Sequence, residues 1–170
     1  MGSQSREIVA LKKRLKRLRE MGFELENQMA RLEWAENNLI GLGSPLLTDM
    51  PKNPSPSNDR LSNALNKKME IETEINIVSH DFLLEREILG AVADKLQHAD
   101  ERLVIRMRYF DRADWSDVVK VIFSRRKDYE ENIDNYYKRV FRLHGEALAE
   151  MSKSLIFFEQ NCGVNESKCE

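Results

Sequence analysis

Two cysteines, three histidines, four prolines and seven glycines are few for a chain of 170 residues. That scarcity argues against disulfide frameworks, metal centres and tight-turned sheets. Cys162 and Cys169 both lie in the last nine residues, with no flanking His/Cys pair at a structural-zinc spacing. They read as reduced thiols in a frayed end, with a tail disulfide as the alternative. His80, His98 and His144 are scattered, so neither a metal nor another cofactor is expected. No nucleophile elbow, phosphate-binding glycine loop, metal-binding His pair or apolar carboxylate pair occurs, so no catalytic residue is assigned and a non-enzyme is expected. No stretch approaches the roughly 18 apolar residues of a membrane span. The basic N-terminus is not followed by an apolar signal core, so the expectation is a cytoplasmic protein without a membrane partner. The net charge of −2 gives the whole molecule no pull on polyanions, and any nucleic-acid affinity must come from a local patch.

What is abundant is charge, at 33% of residues against 41% hydrophobic, a balance that favours long solvated helices. From Ile8 to Leu39 apolar residues recur at alternating steps of three and four: Ile8, Leu11, Leu15, Leu18, Leu25, Met29, Leu32 and Leu39, with Gly22 and Glu36 as interruptions. Residues 41–59 hold all four prolines and form a loop, after which Asn58 or Asp59 can cap the next helix. A second stripe follows in Leu61, Ala64, Ile71, Ile75, Val78, Phe82, Leu89, Val92 and Leu96, interrupted by Lys68 and Glu85. Two such helices, about 6–40 and 60–97, can bury their stripes against each other as an antiparallel coiled-coil hairpin spanning 1–98. Phe23, Trp34, Leu83 and Leu84 stay outside those stripes, which predicts a homo-oligomer, with a dimer favoured.

Beyond Leu96 the register changes. DERLVIRMRYF, residues 100–110, reads as a short helix capped by Asp100, with Leu103, Val104, Met107 and Phe110 on one side. DRAD, 111–114, is a turn, and WSDVVKVIF, 115–123, a second helix. SRRKD, 124–128, connects to a third helix from about Glu130 past Met151, whose apolar set is Ile133, Tyr136, Tyr137, Val140, Phe141, Leu143, Ala147, Leu148 and Met151. This is the layout of a helix-turn-helix over 99–153, followed by a tail at 154–170. The fold class expected is therefore all-α, a long coiled-coil hairpin followed by a three-helix helix-turn-helix unit.

The stretch ERLVIRMRYFDRADW, 101–115, resembles the opening of region four of bacterial sigma factors, and KRVFRLHGEALAEM, 138–151, resembles its recognition helix. Nearly the whole chain, about 6–152, is similar to a family of phage and prophage sigma-region-four-like regulators of Gram-positive bacteria, in the style of the ArpU and RinA late-gene activators. The shared order is a heptad helix, a TDMP-containing loop, NDRL, RMRYF, a tryptophan and RLHGEAL. The resemblance implies control of phage late or packaging genes through double-stranded DNA, with host RNA polymerase as a further partner. One departure is that 24 residues separate Trp115 from Val140, more than a compact sigma-type unit holds.

Groove entry needs polar side chains for base edges and flanking cations for phosphates. Arg125, Arg126, Lys127, Lys138, Arg139 and Arg142 are the phosphate candidates, and Asn132, Asn135, Tyr136 and His144 the base-facing ones. The cluster Lys12, Lys13, Arg14, Lys16, Arg17 and Arg19 is a second cationic surface, for DNA backbone or an acidic partner. Against these, residues 99–153 hold twelve Lys/Arg and eleven Asp/Glu, so protein docking by the third helix is a competing reading. His144 has a bland reading too, as a packed side chain, and Gly145 suggests close packing against the preceding helix. A coiled-coil adaptor, or a packaging subunit like a small terminase, is the alternative function.

Overall fold

A computed structural model describes the backbone of residues 2–42 and 57–162, and the side chains of 5–40 and 60–157. Those residues are all helical or in the turns between helices, with no strand among them. The elements are α1 (Gly2–Leu42), α2 (Ser57–Asp94), α3 (Ala99–Ile105), which continues into a π-helical turn (Arg106–Phe110), α4 (Trp115–Phe123) and α5 (Ile133–Cys162). No helix among them is long and apolar enough to cross a membrane. Most of the proline-rich loop, and the side chains of both cysteines, lie outside the described residues. Because α2 begins at Ser57, Asn58 and Asp59 fall inside its first turn and not at its cap. The N-cap of α3 is His98, which places Asp100 and Glu101 in the first turn, where carboxylates oppose the helix dipole.

The chain divides into two compact units, Met1–Glu20 with Leu84–Glu170, and Met21–Leu83. The division follows packing, and the sequence boundary at residue 98 does not reappear in it. Nor does the expected tail start at 154: α5 runs to Cys162, and Leu155 is buried.

In the second unit the α2 stripe keeps its expected register, with Ile71 buried and Ala64, Ile75, Val78 and Phe82 half-buried. The α1 stripe keeps Leu25, Leu32 and Leu39 half-buried as expected, but departs from the expected register at the positions between them. Gln28 and Ala35 are buried where Met29 and Glu36 were expected, so two three-residue steps follow one another, Gly22 to Leu25 to Gln28. Burial of Gln28 is tolerated because its amide donates to Glu24 Oε1 (2.9 Å) and accepts from Arg31 (2.5 Å). Arg31 also meets Glu74 at 3.2 Å. The interruptions Glu36 and Lys68 pair with each other, Nζ to Oε1 at 3.0 Å, so two apparent defects in separate stripes form one contact. Those partners raise the Lys68 pKa, the Glu36 hydrogen bond being the largest cause.

In the first unit Leu11, Leu15 and Leu18 of α1 are buried, as are Leu89, Val92 and Ala93 of α2 and Leu96 just beyond it. The remaining interruption, Glu85, accepts two hydrogen bonds from Arg14, at 2.7 and 3.0 Å. Arg106 pairs with Asp94, and Arg102 donates to the carbonyl of Leu96, tying the start of the C-terminal region to the end of α2. Within α3 and the π turn, Val104, Ile105 and Tyr109 are buried while Leu103 is exposed. The apolar side expected from Leu103, Val104, Met107 and Phe110 is thus rotated, because this segment packs against several elements and not along one stripe.

Candidate nucleic-acid interface

The C-terminal helices share one core. Val104, Val118, Val119, Phe123, Tyr136 and Val140 are buried together, with Met107, Trp115, Ile122, Tyr129 and Leu143 packed around them. Trp115 opens α4 as expected, and Asp114 is its N-cap, its carbonyl accepting the backbone N–H groups of Asp117 and Val118 at 3.0 and 3.1 Å. The Asp114 carboxylate faces two arginines, Arg19 at 3.2 Å and Arg108 at 3.3 Å. Arg108 also donates to the Ala113 carbonyl at 2.9 Å and lies 4.7 Å over the Trp115 ring. Arg19 reaches the Arg112 carbonyl at 3.2 Å, so two guanidinium groups brace a turn whose Arg112 has φ of 60°. Sequence reasoning missed these bracing roles; the cue available was an acidic residue directly before a helix-opening tryptophan.

Between α4 and α5 the chain makes a run of turns over 124–132. Asn132 ends it, its carbonyl accepting from Asn135 and Tyr136 at 3.0 and 3.1 Å. Its amide donates to Asp128 at 3.3 Å, and the Tyr136 hydroxyl donates to the same carboxylate at 2.9 Å. The Tyr136 hydrogen bond holds the Asp128 pKa below its usual range, while burial pushes the Tyr136 phenol up. The residues from Trp115 to Val140 are thus divided among α4, this braced connection and the first residues of α5.

The ten candidate contact residues separate into three groups. Asn135, Lys138, Arg139 and Arg142 are exposed and line one shallow groove on α5. At about 100° per residue they fall on one side of the helix. Arg139 lies 5.4 Å over the Phe123 ring, and Arg142 has Glu146 as an acidic neighbour at 3.9 Å. Arg125, Arg126 and Lys127 are exposed on the preceding turn, and Asn132 is half-buried in its hydrogen bonds.

Tyr136 and His144 are corrected. Tyr136 is buried, stacked on Phe123 with ring centroids 4.5 Å apart, so its ring belongs to the core. His144 is buried too, its Nε2 3.0 Å from the Tyr109 hydroxyl and its ring 5.1 Å from Trp115, edge to face. Burial lowers its pKa to about 4, helped by the positive charges of Lys12 and Arg108. Both residues lie on the inward side of α5, which helical spacing alone could have flagged. The opposite correction applies to Gly145: it is exposed, and a Cβ there would meet nothing within 4 Å. The N-terminal basic cluster is also thinned, because Arg14 and Arg19 are engaged with Glu85 and Asp114, leaving Lys12, Lys13, Lys16 and Arg17 exposed.

No protein-family model, curated protein or solved structure matches this chain.

Proposed function

We propose that this protein is a DNA-binding transcriptional regulator in which α3, α4 and α5 form a sigma-region-four-like helix-turn-helix, with α5 as the recognition helix and the long helices as an antiparallel coiled-coil hairpin. The observation that carries the reading is the outward side of α5. Asn135, Lys138, Arg139 and Arg142 line one groove, while the inward side packs into the core with α4. Cationic side chains flanking an exposed amide provide phosphate contacts with one group placed for a base edge. Arg125, Arg126 and Lys127 extend the cationic surface at the turn before the helix. At this corner the Asp128 carboxylate accepts from Tyr136 and Asn132, and Asp128, Glu130, Glu131 and Asp134 are all exposed, so acidic side chains offset part of the cationic surface there. By the sequence resemblance, the regulated genes are phage late or packaging genes and host RNA polymerase is the further partner.

Duplex affinity measured across a salt series tests this. Arg139→Ala with Arg142→Ala weakens binding and flattens the salt dependence by about two units of slope, one for each phosphate no longer neutralised. Unchanged affinity and slope in the double variant reject α5 as the DNA-facing helix. The competing reading, an adaptor or packaging subunit, draws on the exposed apolar side chains of the second unit, and an assembly of about eight or more subunits in light scattering favours it.

A further inference from the structure

Among the side chains that line the groove on α5, Asn135 is the neutral one. The others, Lys138, Arg139 and Arg142, are cations, which bind phosphate oxygens whatever the sequence. A carboxamide differs, because it offers a donor and an acceptor in one plane and so matches the edge of a particular base. Which way its amide faces decides what it can match.

At this helix start the direction is set by chemistry. The Asp128 carboxylate can only accept hydrogen bonds, so the Asn132 side chain that meets it at 3.3 Å presents its NH2 group. The Asn132 Oδ1 is then the atom turned towards Asn135, whose Nδ2 donates to it at 3.4 Å. With one N–H engaged there, Asn135 keeps its Oδ1 and its second N–H for whatever enters the groove. The base of this relay is fixed. The Tyr136 hydroxyl donates to the other Asp128 oxygen at 2.9 Å, and the Tyr136 ring stacks on Phe123 in the core. The backbone of Asn132 is held as well, its N–H donating to the Asp128 carbonyl at 3.1 Å and its carbonyl accepting from Asn135 and Tyr136. The Tyr136 hydrogen bond also holds the Asp128 pKa below its usual range, so the carboxylate stays acceptor-only at neutral pH.

We infer that Asn135 reads an adenine in the major groove, with Asn132 and Asp128 as positioning residues that aim its amide. The inference rests on α5 being the DNA-facing helix. Adenine is the base whose major-groove edge sets a donor, its exocyclic amino group, beside an acceptor, N7, and one amide complements both. Guanine presents two acceptors there, and cytosine and thymine one polar group each, so none of them meets both halves of the amide. Because the relay exists before DNA arrives, the side chain does not have to be ordered on binding.

Selection of the full-length chain on a random-sequence duplex library supplies the site to be probed. Each adenine of that site is then replaced in turn by 7-deazaadenine, which has carbon in place of N7 and cannot accept the Asn135 N–H. One replacement is expected to weaken wild-type binding about tenfold, and to leave Asn135→Ala, itself about tenfold weaker on the unmodified site, within about twofold. The salt slope of Asn135→Ala stays that of the wild type, because no charge is removed. Asp128→Asn lets the Asn132 amide turn over and reduces the adenine preference about threefold, while affinity for duplex of unrelated sequence holds or rises, since a negative charge has gone. An undiminished preference in that variant overturns the relay. A selection that enriches no sequence, a wild type indifferent to the replacement at every adenine, or an Asn135→Ala variant as sensitive as the wild type overturns the reading of adenine and leaves the arginine test of α5 standing. A wild type that binds no duplex overturns both.

Discussion

The two units are built from the same long helices and use them differently. In the first, α1 and α2 contribute closely spaced buried side chains, and the C-terminal helices add an aromatic core in which Phe123 stacks on Tyr136 and Trp115 packs edge to face on Phe141 and His144. In the second, the same helices face each other through half-buried aliphatics, a buried glutamine and cross-helix ion pairs. A heptad pattern of similar quality therefore supports a closed core where other elements pack on it, and an open two-helix unit where, among the described residues, none do. Periodicity determines which residues can be buried, while the number of packed neighbours decides how completely they are.

Cutting into each core puts this contrast to its severest test. Phe123→Ala removes a buried ring and the stacking surface for Tyr136, and we expect a loss of about 3–5 kcal/mol in urea unfolding. Ile75→Ala, at a half-buried seam position of the second unit, should cost about 1 kcal/mol, because part of that side chain already meets water. Equal losses would show that the second unit is as closed as the first.

A pH titration probes the first unit alone. His144 is held neutral in the folded chain, with a pKa of about 4 against 6.5 for the free side chain. Below pH 6.5 the unfolded chain gains a proton there that the folded chain does not, so stability falls as pH drops from 6.5 towards 4, by at most about 3 kcal/mol. Glu101 acts in the opposite sense. Its pKa is raised by burial, so it favours folding as the solution is acidified. Thermal unfolding between about pH 7 and 4 should therefore show a net loss in the wild type that is absent or reversed in His144→Phe. A loss of the same size in that variant would assign it to other groups.

How far the sequence could be read follows the same division. The helix limits at Trp115 and Phe123 and the register of α2 were legible, because a tryptophan after an acidic turn and a sustained three-four spacing are local signals. In α1 past Gly22, Leu25, Leu32 and Leu39 were legible and the positions at 28 and 35 were not. Met29 is a better apolar residue than Gln28, and only the Glu24 and Arg31 partners make the glutamine the buried one. Leu103 misled for a related reason: a segment packed on more than one side has no single apolar stripe. On α5, the exposure of Lys138, Arg139 and Arg142 on one side was legible from charge and spacing. Tyr136 and His144 admit both a packed and a base-facing reading from sequence; helical spacing favours the packed one, and it is the one the structure bears out.

Gly145 offers a smaller effect of opposite sign. It lies inside α5, its φ is not positive, and nothing stands within 4 Å of a Cβ built on it. Gly145→Ala should stabilise the protein by about 0.5–1 kcal/mol through the lower conformational entropy of the unfolded chain. A destabilised variant would mean that the helix needs close approach at that point, as a glycine in that position suggests from sequence.

The smallest expected effects come from the two ion pairs that mark the units. Arg14 and Glu85 form two hydrogen bonds in a partly buried setting in the first unit, and Arg31 and Glu74 make one contact with both side chains about half exposed in the second. Two oriented bonds with restricted water access should give a coupling of about 1 kcal/mol in a double-mutant cycle of Arg14→Ala and Glu85→Ala. The single exposed contact should give about 0.3 kcal/mol, falling towards zero in high salt as screening removes what remains. If the Arg31–Glu74 coupling matched the other and resisted salt, that pair would have to be shielded from water. The side of the second unit that carries Arg31 and Glu74 would then be covered.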